Sequence, residues 1–268
     1  MRTSEAVNIY KAGRRGRVSP RTFEGYHYRL RVFERYFPGA LPDKPEEIDE
    51  FLANLEGSPE TLDTYFRLLR AFYRLLLKRG YVTASPMSAV EKPRLARKVY
   101  PSLSVKELRI VLTIPDMRTE IRAMLLLLLD TGIRVSEALS LNREALGPDY
   151  MIVAGKTGQR LVPISTEVSR LVSSSLPWPW LTRRGVLLAL KKTFAKVGIV
   201  GKKATTKALR HTFMRMWEGD LSSLRDIAGW TSMRMVQVYR PYNLERAKAQ
   251  HRVYRPLKRL GVAQLQLF

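Results

Sequence analysis

Apolar residues recur at helical intervals through the first third of the chain. Tyr26, Leu30, Phe33 and Phe37 are spaced by four, three and four positions, and Tyr65, Leu69, Phe72 and Leu76 repeat that spacing. Between these runs, Ile48, Phe51, Leu52 and Leu55 predict a shorter helix after the breaks at Pro42 and Pro45. Ser58 followed by Pro59 reads as a helix start, and Arg79-Gly80 as a stop. Residues 1–91 are therefore expected to form a small all-α domain. Residues 86–104 carry three prolines, four basic residues and little apolar periodicity, which predicts an extended linker, with 92–102 as the joint itself. Beyond it, Val105–Leu112 and residues 121–129 look helical, residues 130–132 break the pattern, and a further helix is expected over 135–141. The texture then changes. Residues 150–154 and 160–164 are short apolar strands around GKTGQ, a hairpin signal, and helical patterning resumes near Gly185. The expected fold is mainly α with a small antiparallel β-sheet, its second domain spanning 103–268.

Charge adds a partner to this picture. Lys and Arg total 47 against 24 Asp and Glu, a formal charge of +23, which points to a polyanion and first of all to double-stranded DNA. The excess is uneven. Lys11, Arg14, Arg15, Arg17, Arg21, Arg29, Arg31 and Arg35 make the opening basic and suited to tracking phosphates, although such a run also fits a solvated helix face. Residues 43–63 hold Asp43, Glu46, Glu47, Asp49, Glu50, Glu56, Glu60 and Asp63 against Lys44 alone, so this segment should face away from DNA. The longest apolar run, 123–129, is seven residues, against the roughly 20 that span a bilayer, and the opening has no apolar core of a secretory signal. A soluble, intracellular protein without membrane association is expected. With no cysteine, thiol chemistry and disulfides are excluded, and His27, His211 and His251 have no zinc-ligand spacing. No metal and no cofactor is expected. The chemistry must rest on carboxylates, hydroxyls, Lys or Arg.

Four stretches stand out: LLLLLDTGIRVSEALSL (125–141), AGKTGQRLVPI (154–164), TTKALRHTF (205–213) and DIAGWTSMRMVQVYRPY (226–242). Together they resemble the catalytic domain of the tyrosine recombinases, in the manner of phage and plasmid integrases. That pattern is an Arg after a helix-ending TG, a Lys on a β-hairpin, H/K-x-x-R on a later helix, then His or Trp, and a Tyr nine residues on. The corresponding positions are Arg134, Lys156, Lys207 with Arg210, Trp230 and Tyr239. The helical first domain is similar to the family's core-binding domain, which clamps DNA opposite the catalytic domain. The resemblance implies cleavage and rejoining of DNA through a 3′-phosphotyrosyl link on Tyr239. It also implies a homotetramer on two synapsed sites, with the tail after Tyr239 docked on the neighbouring protomer. Leu244, Ala247, Val253, Leu257 and Leu260 offer an apolar set for that tail. Lys at 207 and Trp at 230 depart from the commoner histidines. The Lys form resembles some archaeal mobile-element integrases, which favours integration or excision of a mobile element.

The residue types suit this chemistry in their own right. A phosphodiester under attack gathers charge on its non-bridging oxygens, which Arg134 and Arg210 would stabilise. A free Tyr is about one part in a thousand phenolate at neutral pH, so Tyr239 needs nearby cations. Lys156 would protonate the departing 5′-hydroxyl, and the retained bond energy makes ATP and metal unnecessary. Each position also has a plainer reading: Arg134 a solvent-facing helix start, Lys156 a turn lysine, and Lys207, Arg210 and His211 a basic helix face. His211 would equally suit a hydrogen-bonded core position, and its role stays open. Trp230 would equally suit the core, and only its spacing selects Tyr239 over Tyr242 and Tyr254. Competing functions are a chromosome-dimer resolvase, a type IB topoisomerase-like strand transferase, a non-catalytic DNA-binding protein and a metal nuclease using Asp130, Glu137 and Asp226.

Overall fold

The computed structural model describes residues 1–96, 100–155, 158–180, 182–239 and 244–254. The chain divides into two compact units, Met1–Lys98 and Val99–Phe268.

The first unit is built from α1 (Thr3–Arg14), α2 (Pro20–Tyr36), α3 (Pro45–Ala53), α4 (Pro59–Lys78) and a 3₁₀ turn, Pro86–Ser88. Three of these helices open on proline, whose missing N–H is no loss in the first turn and whose ring presets a helical φ. Leu30, Phe33, Ile48, Phe51, Tyr65, Leu69, Phe72 and Leu76 all enter the core, as their spacing predicts. Phe33 is its centre, with ring centroids 5.2 Å from Phe37, 5.2 Å from Phe51 and 6.0 Å from Phe72. The opening segment adds α1, whose Ala6, Val7, Tyr10 and Gly13 are buried against α2 and α4. Part of the acidic run serves the fold: Glu47 accepts from the backbone N–H groups of Asp43 and Lys44, both at 3.1 Å, which satisfies donors at the start of α3. Asp63 is buried and pairs with Arg67 at 2.9 Å.

The second unit contains α5 (Val105–Leu112), α6 (Thr119–Thr131), α7 (Val135–Leu139), the hairpin β1 (Tyr150–Gly155) and β2 (Gly158–Pro163), α8 (Thr166–Ser175), α9 (Arg183–Ala195), α10 (Thr206–Met216), α11 (Leu221–Ala228), α12 (Met233–Tyr239) and α13 (Leu244–Tyr254). The strands pair antiparallel from Tyr150 opposite Pro163 to Gly155 opposite Gly158. The fold is thus mainly helical with one small antiparallel sheet. The apolar run of 123–129 is the central helix: Ala123, Met124, Leu125, Leu127 and Leu128 are buried and α6 packs between α8 and α10.

Two expectations need correction. Helix α8 lies where no element was predicted, because Val168 and Val172 are too short an apolar series to announce it; burial against α6 supplies the stabilisation. The extended linker is also shorter than 86–104. Met87 and Val90 are buried in the first core, Leu103 is buried in the second, and Ser104 caps α5 by accepting from the Glu107 N–H at 3.2 Å. Proline-rich sequence hides single anchoring residues from any periodicity test. Among the described residues no helix is long and apolar enough to cross a membrane.

Helix α6 stops at Gly132, which takes the left-handed conformation at φ +61°. A Cβ there would lie 2.1 Å from the Phe213 ring of α10, so side-chain strain and left-handed strain coincide. We predict that Gly132→Ala loses about 2–4 kcal/mol, combining left-handed strain with overpacking. Urea denaturation of the whole chain should show it, and a midpoint equal to wild type would contradict this packing.

Candidate active site

The turn from α6 into α7 presents Arg134 as the residue before α7, with Glu137 one turn on. Glu137 is held on all sides. One of its oxygens accepts from the Arg134 backbone N–H at 2.8 Å, the other from Arg134 Nη1 at 2.9 Å. Arg160, from β2, adds two more bonds, Nη1 at 3.2 Å and Nη2 at 3.0 Å, while its Nε donates to the Ile227 carbonyl of α11 at 3.1 Å. The Glu137 side chain is 4% exposed, Arg160 14% and Arg134 38%. Burial pushes the Glu137 carboxyl up, but the donors from Arg160 and Arg134 outweigh it and hold the group below its ordinary range. Arg134 thus keeps one edge on a structural carboxylate and exposes the rest.

Helix α10 places the next groups. Thr205 caps it, accepting from the Ala208 N–H at 3.1 Å, and its first turn carries the exposed Lys207 and no carboxylate. One turn on, Arg210 donates to the Gly132 carbonyl and, at 2.9 Å, to the Ala228 carbonyl at the end of α11. Burial, and then the like charge of Arg134, lower its pKa to about 10, so it is still a cation at neutral pH. The guanidinium lies 5.7 Å from the Trp230 ring centroid.

Trp230 follows the left-handed Gly229 that ends α11, and α12 ends on Tyr239. The two rings stack at 5.3 Å with 13° between planes. His211 lies 5.3 Å from the same Tyr239 ring, and Tyr100 also 5.3 Å from it. Burial raises the Tyr239 pKa and Tyr100 adds to that, while Arg210 and Arg134 oppose it. His211 is buried, with Nδ1 3.2 Å from the Pro101 carbonyl. A carbonyl only accepts, so Nδ1 carries the proton and the ring is the Nδ1–H tautomer when neutral. Burial and the charges of Arg210 and Lys207 lower its pKa, against the Pro101 bond, which raises it.

Of the predicted set, Arg210, Trp230 and Tyr239 adjoin, with His211 at Tyr239 and Arg134 close enough to act on Tyr239 and Arg210 electrostatically. Lys207 stands one helical turn from His211. Lys156 lies outside the described residues, as do Tyr242, Leu257 and Leu260. The carboxylates proposed for a metal nuclease are each committed elsewhere: Asp130 to the Ser165 N–H at 2.7 Å, Glu137 to its arginines and Asp226 to Arg225 at 2.7 Å. Reading the sequence missed Arg160 and Tyr100 altogether. Glu137 had a signal, its place three residues after a helix-opening Arg134, but Arg160 looks like any strand residue until the hairpin folds over α7.

This constellation can be compared with known proteins. No family model matches the chain. Tyrosine recombinase XerC of Methylobacterium sp. (strain 4-46) is 32% identical over 273 residues, covering 84% of each chain. The chain belongs to the tyrosine recombinase family. It is a DNA strand transferase, a site-specific recombinase that cleaves and rejoins DNA. Tyrosine recombinase XerD of Lacticaseibacillus casei is 30% identical over 212 residues, 68% of this chain and 72% of that one. Among solved structures, a lambda integrase dimer bound to a COC′ core site gives a TM-score of 0.74 at 19% identity over 88% of this chain and 94% of that chain. The Tn1549 transposon integrase with transposon right end DNA gives 0.75 at 17% identity over 94% and 99%. At those identities the structural likeness speaks for the fold of the recombinase alone.

For this recombinase we predict that Glu137→Gln lowers stability by about 3 kcal/mol, since it leaves Arg160 and Arg134 facing each other without a counter-charge. The wild-type contribution should be complete above the ordinary carboxylate pKa of ~4.3 and fade as pH falls through the lower folded value. Denaturation midpoints from about pH 3 to 8 check the sign, and a wild-type–Gln difference that grows on acidification would refute it.

Proposed function

We propose that Tyr239 is the nucleophile, forming a 3′-phosphotyrosyl intermediate, and that the reaction serves integration or excision of a mobile element. The observation that carries the nucleophile assignment is the stack of Tyr239 on Trp230 beside Arg210. In this reading the Tyr239 phenol gives up its proton to solvent, its oxygen attacks the scissile phosphorus, and the bond to the 5′ oxygen breaks. Arg134 and Arg210 balance the charge gathering on the non-bridging oxygens. Lys156 protonates the departing 5′ oxygen, and Trp230 offers its indole N–H to the phosphate. Lys207, in the first turn of α10 where no carboxylate competes, contacts the phosphate as a fixed cation. A 5′-hydroxyl of the partner strand then attacks the phosphotyrosyl phosphorus and releases Tyr239.

The mobile-element reading rests on Lys207 in the place of the commoner histidine. The names of the curated relatives, XerC and XerD, favour a second reading, an Xer-type resolvase. Both need four protomers on two synapsed sites, bridged by the tail beyond Tyr239. Within α13 the described Val253 is 53% exposed and available for such a contact. Lambda integrase has been solved as a tetramer bound to a Holliday junction. The first unit would act as the core-binding domain, residues 1–91, joined through 92–102 to a catalytic domain of 103–268.

Two measurements test this reading. With a nicked suicide substrate and no added metal, the wild type should form a covalent adduct that Tyr239→Phe abolishes while still binding DNA. An adduct mapped to Tyr242 or Tyr254 would overturn the assignment. Lys207→Ala should cleave roughly a hundredfold more slowly in single turnover with DNA saturating, a loss typical of one transition-state donor. Lys207→His should recover activity mainly towards pH 6, where imidazole is charged. Wild-type cleavage by Lys207→Ala would reduce that residue to part of the basic face.

A further inference from the structure

The Tyr239 ring is enclosed on three sides, and one wall comes from a segment that the catalytic pattern does not include. Trp230 and His211 adjoin the motifs already discussed. Tyr100 does not: it opens the strap of residues 100–104 that leads into α5. Its ring lies 5.3 Å from Tyr239 at 34°, and 4.9 Å from His211 edge-on at 82°. Offset and edge-to-face packing of this kind fixes ring orientation beyond what simple burial does.

The strap is itself laid along α10. Pro101 accepts from His211 Nδ1 at 3.2 Å, Leu103 N–H donates to Thr212 Oγ1 at 2.8 Å, and Arg215 Nη1 donates to Ser102 Oγ at 3.1 Å. Helix α10 also carries Arg210, so Tyr100 and that cation are referenced to one rigid element. Arg210 and Arg134 both favour the Tyr239 phenolate electrostatically, while its ring is gripped by Trp230, His211 and Tyr100. Helix α12 is seven residues long with Val236 buried, and Tyr239 at its last position also packs against the small cluster of Met214, Leu224, Ala228 and Val236.

We propose that Tyr100 is a positioning residue for the nucleophile, its ring holding the Tyr239 phenol in line with the arginines. The proposal rests on the reading of Tyr239 as the nucleophile. Orientation matters steeply in such a step, since a misplacement of about 1 Å can cost on the order of a hundredfold in rate. The ring of Tyr100, packed on Tyr239 and on His211, is the part that supplies the orientation.

Separating the ring from the hydroxyl provides the test. Single-turnover cleavage of the nicked suicide substrate is measured at saturating DNA from about pH 6 to 9 for wild type, Tyr100→Phe and Tyr100→Ala. Tyr100→Phe keeps the ring, so it should cleave at about the wild-type rate and with the wild-type pH dependence. Tyr100→Ala should bind DNA as wild type does yet cleave roughly ten- to a hundredfold more slowly. A Tyr100→Ala protein with the wild-type rate and pH profile overturns the proposal. So does a Tyr100→Phe protein as slow as Tyr100→Ala, whether or not the latter folds, because the ring would then not be the active part. An adduct mapped to a tyrosine other than Tyr239 would bring down the nucleophile reading itself, a separate outcome from an adduct on Tyr239 at wild-type rate in Tyr100→Ala.

Discussion

A carboxylate as buried as Glu137 is tolerable only when donors surround it, and here the donors come from two separate parts of the chain. The backbone and side chain of Arg134 approach from the start of α7, and Arg160 approaches from β2 with its Nε already bound to the end of α11. One anion thereby ties the helix start, the hairpin and the segment leading to Trp230 into a single frame. The glycines around it leave the necessary room: a Cβ at Gly155 would come within 3.0 Å of both Glu137 and Arg160, and one at Gly229 within 3.0 Å of Arg160. Side chains at those two positions would push the network apart.

Charge is deliberately unequal inside that frame. Arg134, Arg160 and Arg210 gather around one carboxylate, and each of Arg134 and Arg160 lowers the pKa of Arg210. The repulsion is contained because Arg210 is fixed by two backbone carbonyls, Gly132 and Ala228, which contribute partial negative charge but no formal anion. The cations are thus held in place before any ligand binds, as electrostatic preorganisation requires. The same positive field favours the phenolate of Tyr239, against the aromatic surroundings that disfavour it. Burial and ring packing fix the orientation of Tyr239, and the arginines supply the charge around it.

Much of this was legible in the chain itself. The core of the first unit follows from period-3.6 spacing, because a helix with one apolar stripe has one way to bury it: Leu30, Phe33, Ile48, Phe51, Leu69, Phe72 and Leu76 are all inside. The stop at Gly132, the pairing of β1 with β2 and the spacing from Trp230 to Tyr239 are also local properties, set by turn chemistry and by strand alternation. Membership of the recombinase family and the identity of Arg134, Arg210, Trp230 and Tyr239 as a group could be read from four short stretches.

Other features depend on which distant residues meet, and no local pattern encodes that. Helix α8 exists because α6 covers its two valines. Arg160 becomes a structural cation only when β2 lies over α7, and Arg210 acquires its lowered pKa only when α10 is buried beside Arg134. His211, equally a core or a functional residue by sequence, is both buried and against the Tyr239 ring. Tyr100, in a proline-rich run with no periodicity, reaches that ring because three hydrogen bonds lay its strap along α10. The sequence by itself determined most of the elements, their apolar faces and the candidate residue types, since those depend on spacing along one helix or strand. The tertiary structure alone decided the partners, burial and charge balance of each group, since Coulomb interaction, desolvation and ring packing all depend on distance in space.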